Sequence, residues 1–213
     1  MADESGVTPR VTQMGRRRRT SEGEADGGGF AFTYTAGSLA LDLVATVEEW
    51  DDGRVDLLQS PGLVAEWLAG PGLPIPIGGV TDDDLNQVRE LRDAVDAIAR
   101  ALIGGIAPSA DTVSRLNRAA NRPTPVFYLD QTATTLVAVP VAELSATLSA
   151  IARDAAHLFA GPDRQRLREC ERAGCRRLFC DRSPSGKRRW CAMKGCGELV
   201  ASAAYRRRNN MEA

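Results

Sequence analysis

All five cysteines of this 213-residue chain lie between Cys170 and Cys196, and four of them read Cys170-x4-Cys175-x15-Cys191-x4-Cys196. No other feature narrows the possible folds as much. Two close thiol pairs separated by a hairpin-length insert can build a tetrahedral zinc site. Each pair supplies two thiolates from one tight turn, and the insert folds the two turns together. The segment has few large apolar residues of its own, namely Leu178, Phe179, Trp190, Leu199, Val200 and Tyr205. Its folding is therefore expected to be coupled to metal binding. "RRLFCD" and "KRRWC" are β-like, "RSPSGK" joins them as a turn, and "GELVASAAYRRRN" reads as a helix. The helix N-terminus would then stand beside the metal, where its partial positive charge favours a thiolate. The spacing predicts a small treble-clef-like module, hairpin plus helix, with Zn2+ on Cys170, Cys175, Cys191 and Cys196. Cys180 also follows Cys175 by x4 and could replace Cys170; the preferred reading makes it a small packing residue in mid-strand.

Charge divides the chain at the same place. Residues 30–161 carry 17 Asp/Glu against 8 Lys/Arg, net −9, whereas residues 162–213 carry 6 against 14, net +8. A basic, cysteine-rich end points to a polyanion partner, most simply DNA. The candidate phosphate or base contacts are Arg176, Arg177, Arg182, Lys187, Arg188, Arg189, Arg206, Arg207 and Arg208. Residues 1–29 are Gly-, Ser- and charge-rich, balanced at 5 against 5, and read as a disordered tail in which "RRRR" at 16–19 is solvated. No 18-residue apolar run exists, and no apolar segment follows those arginines, so neither a membrane span nor a secretion signal is expected. The expected location is the cytoplasm. Thiols are reduced there, and clustered cysteines read as metal ligands before they read as disulfides.

Residues 30–161 read as a mainly helical (α+β) domain. "FAFTY" suggests a short strand. Leu39, Leu43, Val47 and Trp50 follow helical spacing after Ser38, a candidate N-cap, and "DDGRVD" reads as a turn. Ser60 and Pro61 start a short helix that Gly70 stops. Thr81 caps the longest helix, three aspartates fill its first turn, and Leu85, Val88, Leu91, Val95, Ile98 and Leu102 form its buried stripe. A helix over "SADTVSRLNRAANRP", a hairpin from "TPVFYLD" and "TTLVAVP", and a last helix closed by Gly161-Pro162 complete the domain.

Other chemistry is thin. His157, the single histidine, lies in a helical segment far in sequence from the cysteines. Asp42 flanks an apolar stripe and is a candidate anchor for a small ligand, although such residues more often make a cap or an ion pair. Trp50 and Trp67 read as core. Nothing forms a nucleophile–base pair, a phosphate loop or a carboxylate dyad, so an enzyme is not expected.

"GCRRLFCDRSPSGKRRWCAMKGCGELVASAAYRRRN" resembles the CGNR zinc-finger family, whose hairpin reads roughly C-x-x-L-F-x-D-x-S-x-x-x-x-R-R-W-C before a second cysteine pair and a basic helix. "GSLALDLVAT", "SPGLVAEWLAG" and "LRDAVDAI" resemble the ABATE domain that precedes this finger in bacterial proteins described as stress-induced transcription regulators. The resemblance implies a zinc-binding, DNA-binding regulator whose N-terminal domain senses a small-molecule effector. Two departures stand out. The naming motif Cys-Gly-Asn-Arg appears as Cys196-Gly197-Glu198-Leu199, and Ala45 stands where the family usually shows Asn. A zinc-dependent protein- or RNA-binding adaptor and a thiol redox switch are the alternative readings. The opposed charges of body and module also suggest that they meet, with Asp82, Asp83 and Asp84 as the expected acidic face.

Overall fold

The computed structural model describes residues 32–50 and 53–211, with the side chains of residues 49, 50, 210 and 211 left aside. The expected tail over 1–29, the first residues of "FAFTY" and the core role of the Trp50 side chain fall outside that range.

The body is a helical bundle: α1 (Leu39–Val44), α2 (Pro61–Ala69), α3 (Asp82–Ile103), α4 (Ala110–Ala120) and α5 (Leu144–Ala160). The capping signals work as the sequence suggests. The Ser60 hydroxyl accepts the Leu63 N–H ahead of Pro61. Thr81 and Asp84 form a reciprocal capping box at the start of α3. The α3 stripe is buried from Leu85 to Ile98, with Leu102 partly buried. α5 packs on α1, α3 and α4. Ser149 and Arg153 of α5 also donate to the carbonyls of Ala120 and Arg122, which closes the C-terminus of α4.

Two expectations for this region are corrected. α1 stops at Val44, and Val47–Trp50 (β1) pairs antiparallel with Gly53–Asp56 (β2) instead of continuing the helix. A tertiary ion pair stabilises this hairpin: the guanidinium of buried Arg92 on α3 makes two 2.7 Å bonds to the Asp56 carboxylate. Ser38 occupies the N-cap position of α1 but makes no cap bond with its own hydroxyl. Asp154 of α5 accepts instead, from both the Ser38 hydroxyl and the Ala40 N–H. The described part of "FAFTY", residues 32–34, forms no strand. The hairpin β3 (Phe127–Leu129) with β4 (Leu136–Ala138) is as expected.

Beyond α5, a 3-10 turn at Pro162–Arg166 leads into β5 (Leu167–Glu169), β6 (Leu178–Cys180) and α6 (Glu198–Met211). The hairpin here differs from the expected one. β6 pairs with β5, in the register Leu167↔Cys180 to Glu169↔Leu178, and not with the "KRRW" segment. Fully buried Asp181 fixes the following loop by accepting the N–H groups of Ser183 and Arg188, so the loop is held by a carboxylate rather than by a strand ladder. Leu167, Leu178, Phe179 and Cys180 join the same apolar core as the helices. The base of the C-terminal module is therefore welded to the body.

Candidate metal centre

The hairpin β5–β6 turns through Cys170 and Cys175. The Cys170 N–H donates to the Arg177 carbonyl and the Cys175 N–H to the Arg172 carbonyl. The second pair brackets a turn in which Gly195 adopts φ 99°, a conformation that favours glycine. That turn ends at the N-terminus of α6. The Glu171 N–H, bonded to the Arg189 carbonyl, ties the two turns together.

The sulfurs of Cys170, Cys175, Cys191 and Cys196 converge, all within 4.8 Å of one another, and all four residues are buried. Cys175 and Cys191 sulfurs are 3.9 Å apart, and those of Cys191 and Cys196 3.5 Å. A zinc–sulfur bond of about 2.3 Å in a tetrahedron separates neighbouring sulfurs by about 3.8 Å. The spacing fits that ion. The Cys191 N–H donates to the Cys170 sulfur at 3.4 Å, and Arg172 donates to the Cys196 sulfur at 3.6 Å. Such donors stabilise thiolates.

Proton sharing and burial shift the thiols of this cluster in opposite directions. A hydrogen bond from Cys191 pulls the Cys175 thiol down to about 5. Cys191 is pushed up, because its proton is shared with Cys175 and because it is buried. Burial likewise raises Cys170. Among these thiols one ionises at the expense of its neighbours; several can be thiolates together only around a positive ion. Cys180 stands apart from this cluster. It is fully buried in the core, its N–H donates to the Ala36 carbonyl at 2.7 Å, and burial raises its thiol.

Comparison with known families agrees with this geometry. The ABATE model, described as "Putative stress-induced transcription regulator", matches residues 37–162, and the CGNR zinc-finger model matches residues 166–209. The chain belongs to the ABATE family. No curated protein matches it.

The ABATE body grips its CGNR finger through a seam of backbone and guanidinium contacts. Gly37 sits in the seam with φ 82°, and a Cβ there would lie 2.6 Å from the Cys180 carbonyl oxygen, so only glycine fits. Several arginines that the sequence offers as nucleic-acid contacts are drawn into this seam. Arg177 pairs with Glu48 and donates to Thr33. Arg188 donates to the carbonyls of Thr35, Trp190 and Cys191 and lies 4.7 Å over the Phe179 ring. Arg182 donates to the Gly37 carbonyl and pairs with Asp163. Arg176 pairs with Glu169, and Arg189 pairs with Glu171 while lying over Trp190. Lys187 and Arg206, Arg207 and Arg208 are exposed. Spacing alone does not sort these groups: Glu48 stands 129 residues from Arg177, whereas the acidic partners of Arg176 and Arg189 lie inside the finger and leave both side chains exposed.

The acidic side of the seam is also relocated. Asp82–Asp84 sit at the start of α3, where Thr81, Asp84, Asp83 and Gln87 bond among themselves. The finger meets the other end of that helix, through Arg100 with Glu169. At 1.5 Å per residue the two ends are about 25 Å apart. His157 is exposed on α5, outside the cysteine cluster. The Asp42 carboxylate accepts the Ala36 N–H at 2.8 Å. Burial pushes its pKa up to about 6; the Ala36 bond opposes that shift, and the Asp154 charge adds to it.

Proposed function

We propose that this protein is a zinc-dependent, DNA-binding transcription regulator of the cytoplasm, with residues 30–161 sensing an effector and residues 162–213 contacting DNA. One observation carries the reading: α6 starts at the cysteine cluster, makes its main packing among the described elements against the turn at its own N-terminus, and ends in exposed Arg206, Arg207 and Arg208. A 14-residue helix with most of its surface exposed is marginal in water. A metal anchoring its N-terminus and a phosphate surface along its basic end supply what it lacks. Zn2+ is held by Cys170, Cys175, Cys191 and Cys196 and acts structurally. Lys187 and Arg189 extend the cationic surface of α6, while Arg177 and Arg188 hold the finger together.

The test is duplex binding by fluorescence anisotropy across a salt series. With Lys187, Arg189 and Arg206–Arg208 on phosphates, log affinity should fall against log salt with a slope of about −4.5. Arg206→Ala with Arg207→Ala should flatten the slope by about 2. A salt-independent interaction, or no duplex binding by the zinc-loaded protein, overturns the reading in favour of an adaptor for protein or single-stranded RNA.

A further inference from the structure

A cleft of about 240 Å³ opens along the seam between the ABATE body and the CGNR finger. Both units line it: the stretch from the end of α1 to the start of β1 gives Val44, Ala45 and Val47, the finger gives Arg176, Arg177 and Leu178, and β2 and α3 add further arginines and two aspartates. One wall is thus aliphatic and the other is rich in guanidinium. At about 30 Å³ per water, the space matches a metabolite rather than a few trapped waters.

Among the described residues each guanidinium of the charged wall has an acidic partner, but most of the partners are shared or the pairs are exposed. Glu169 serves both Arg100 and Arg176. Asp56 serves both Arg89 and Arg92. Arg177 pairs with Glu48 and donates to Thr33, which leaves its Nε without an acceptor among the described residues. Arg54 is more than half-exposed, and its guanidinium lies 3.9 Å from the Asp93 carboxylate. Arg176 is also about half-exposed. Exposed pairs of this kind are worth under about 1 kcal/mol, so both side chains can turn to a better partner. A planar carboxylate or a phosphate is the partner that a guanidinium fork fits best.

We propose that this cleft binds a small organic anion, its carboxylate or phosphate held by Arg54, Arg176 and Arg177 and its carbon body against Ala45, Val47 and Leu178. A ligand there touches both units, so its binding energy acts directly on the seam and on how firmly the finger is set on the body. As an anion site the cleft stands on its own geometry; as an effector site it rests on the DNA-binding reading above.

The zinc-loaded full chain is titrated by calorimetry with citrate and, separately, with inorganic phosphate, without DNA and at matched ionic strength. Saturable one-to-one binding is expected for at least one of them. The doubly substituted Arg54→Ala/Arg176→Ala protein should bind that probe at least tenfold more weakly. Both side chains are exposed, so its thermal midpoint without ligand should stay unchanged. Arg115→Ala, on α4 and outside the cleft, should bind as the parent does. The stronger arm tells carboxylate from phosphate chemistry. No saturation with either probe, or saturation insensitive to the double substitution, overturns the site whatever DNA binding shows. Duplex affinity is then compared with and without the bound probe. A shift of threefold or more supports the effector role, and an unchanged affinity overturns it while leaving the anion site. Absence of any duplex binding overturns the DNA reading instead.

Discussion

In the helical body, Leu41, Leu43, Trp67, Leu68, Val95 and Ile151 are withdrawn completely from water. In the finger beyond β6, the buried side chains are Asp181 and two thiols, with Trp190 only partly covered. Each large apolar side chain in the body contributes about 1.5–3 kcal/mol by burial, an interaction indifferent to metal or charge state. The outer finger has no such reserve and is held by a thiolate cluster, one buried carboxylate and a set of guanidinium ties. The boundary between the two regimes does not coincide with the boundary between the two family matches. β5 and β6 lie within the finger, yet Leu167, Leu178 and Phe179 belong to the body's core. Charge and cysteine content locate a module in sequence; burial shows which part of it shares the body's core.

Metal removal should break the comparison most sharply. A structural zinc site contributes about 10–16 kcal/mol, comparable to the whole stability of a domain. Cys175→Ser should abolish metal binding and remove amide protection from residues 187–211, while α3 and α5 stay protected. Elemental analysis with hydrogen exchange reads both. Cys180→Ser should keep the metal and cost about 1–3 kcal/mol for a buried hydroxyl. Loss of protection throughout α3 and α5 in Cys175→Ser would show that the two regions unfold as one.

The arginines give the next largest effect. Arg188→Ala removes donors to three carbonyls and the contact over Phe179. A loss of about 2–4 kcal/mol is expected from hydrogen bonds to a charged donor. Lys187→Ala, one residue away and exposed, should stay within about 0.5 kcal/mol. Chemical denaturation of the zinc-loaded pair measures the difference. Equal losses would mean that the ties at the seam carry no energy.

These two neighbours also show what the sequence can and cannot reveal. Local signals were legible because their physics is local: Ser60 and Pro61, the Thr81–Asp84 box, and the paired cysteines all act within a few residues. The β1–β2 hairpin was hidden because Leu39, Leu43, Val47 and Trp50 also satisfy a helical period. What selects the hairpin includes the Arg92–Asp56 pair, 36 residues apart. The strand partner of β6 is hidden from the sequence for a similar reason. "KRRW" looks β-like, but Asp181 takes the Arg188 N–H for its own loop.

The third effect depends on pH and lies on the body's side of the seam. The Asp42 pKa stands near 6 against an ordinary 3.8, chiefly because the group is buried. The folded state therefore binds more protons than the unfolded state between those values. The contribution of Asp42 to stability is greatest below about pH 3.8 and declines until about pH 6, above which the charged form is carried at a constant cost. Asp42→Asn keeps an acceptor for the Ala36 N–H and removes the charge. It should stabilise the protein at pH 8 by up to about 3 kcal/mol, and the gain should vanish by about pH 4. Thermal denaturation at the two pH values decides it; a gain independent of pH would assign the effect to packing.

The smallest effect belongs to the outermost part of the finger. Glu198 opens α6, where a carboxylate interacts favourably with the helix dipole, worth about 0.3–1 kcal/mol. The same charge repels a phosphate approaching that end. Leu199 beside it is exposed and buries little. Replacing both in the sense of the motif that names this finger, Glu198→Asn with Leu199→Arg, trades a little helix stability for a cationic surface. Exchange protection in α6 should fall by no more than a few-fold. If this end of α6 faces DNA, duplex affinity at low salt should rise and the salt slope should steepen by about 1, as one further phosphate is neutralised. If instead only the Arg206–Arg208 end meets the duplex, the double substitution will lower protection without moving the slope. The bound region would then be confined to the distal half of the helix.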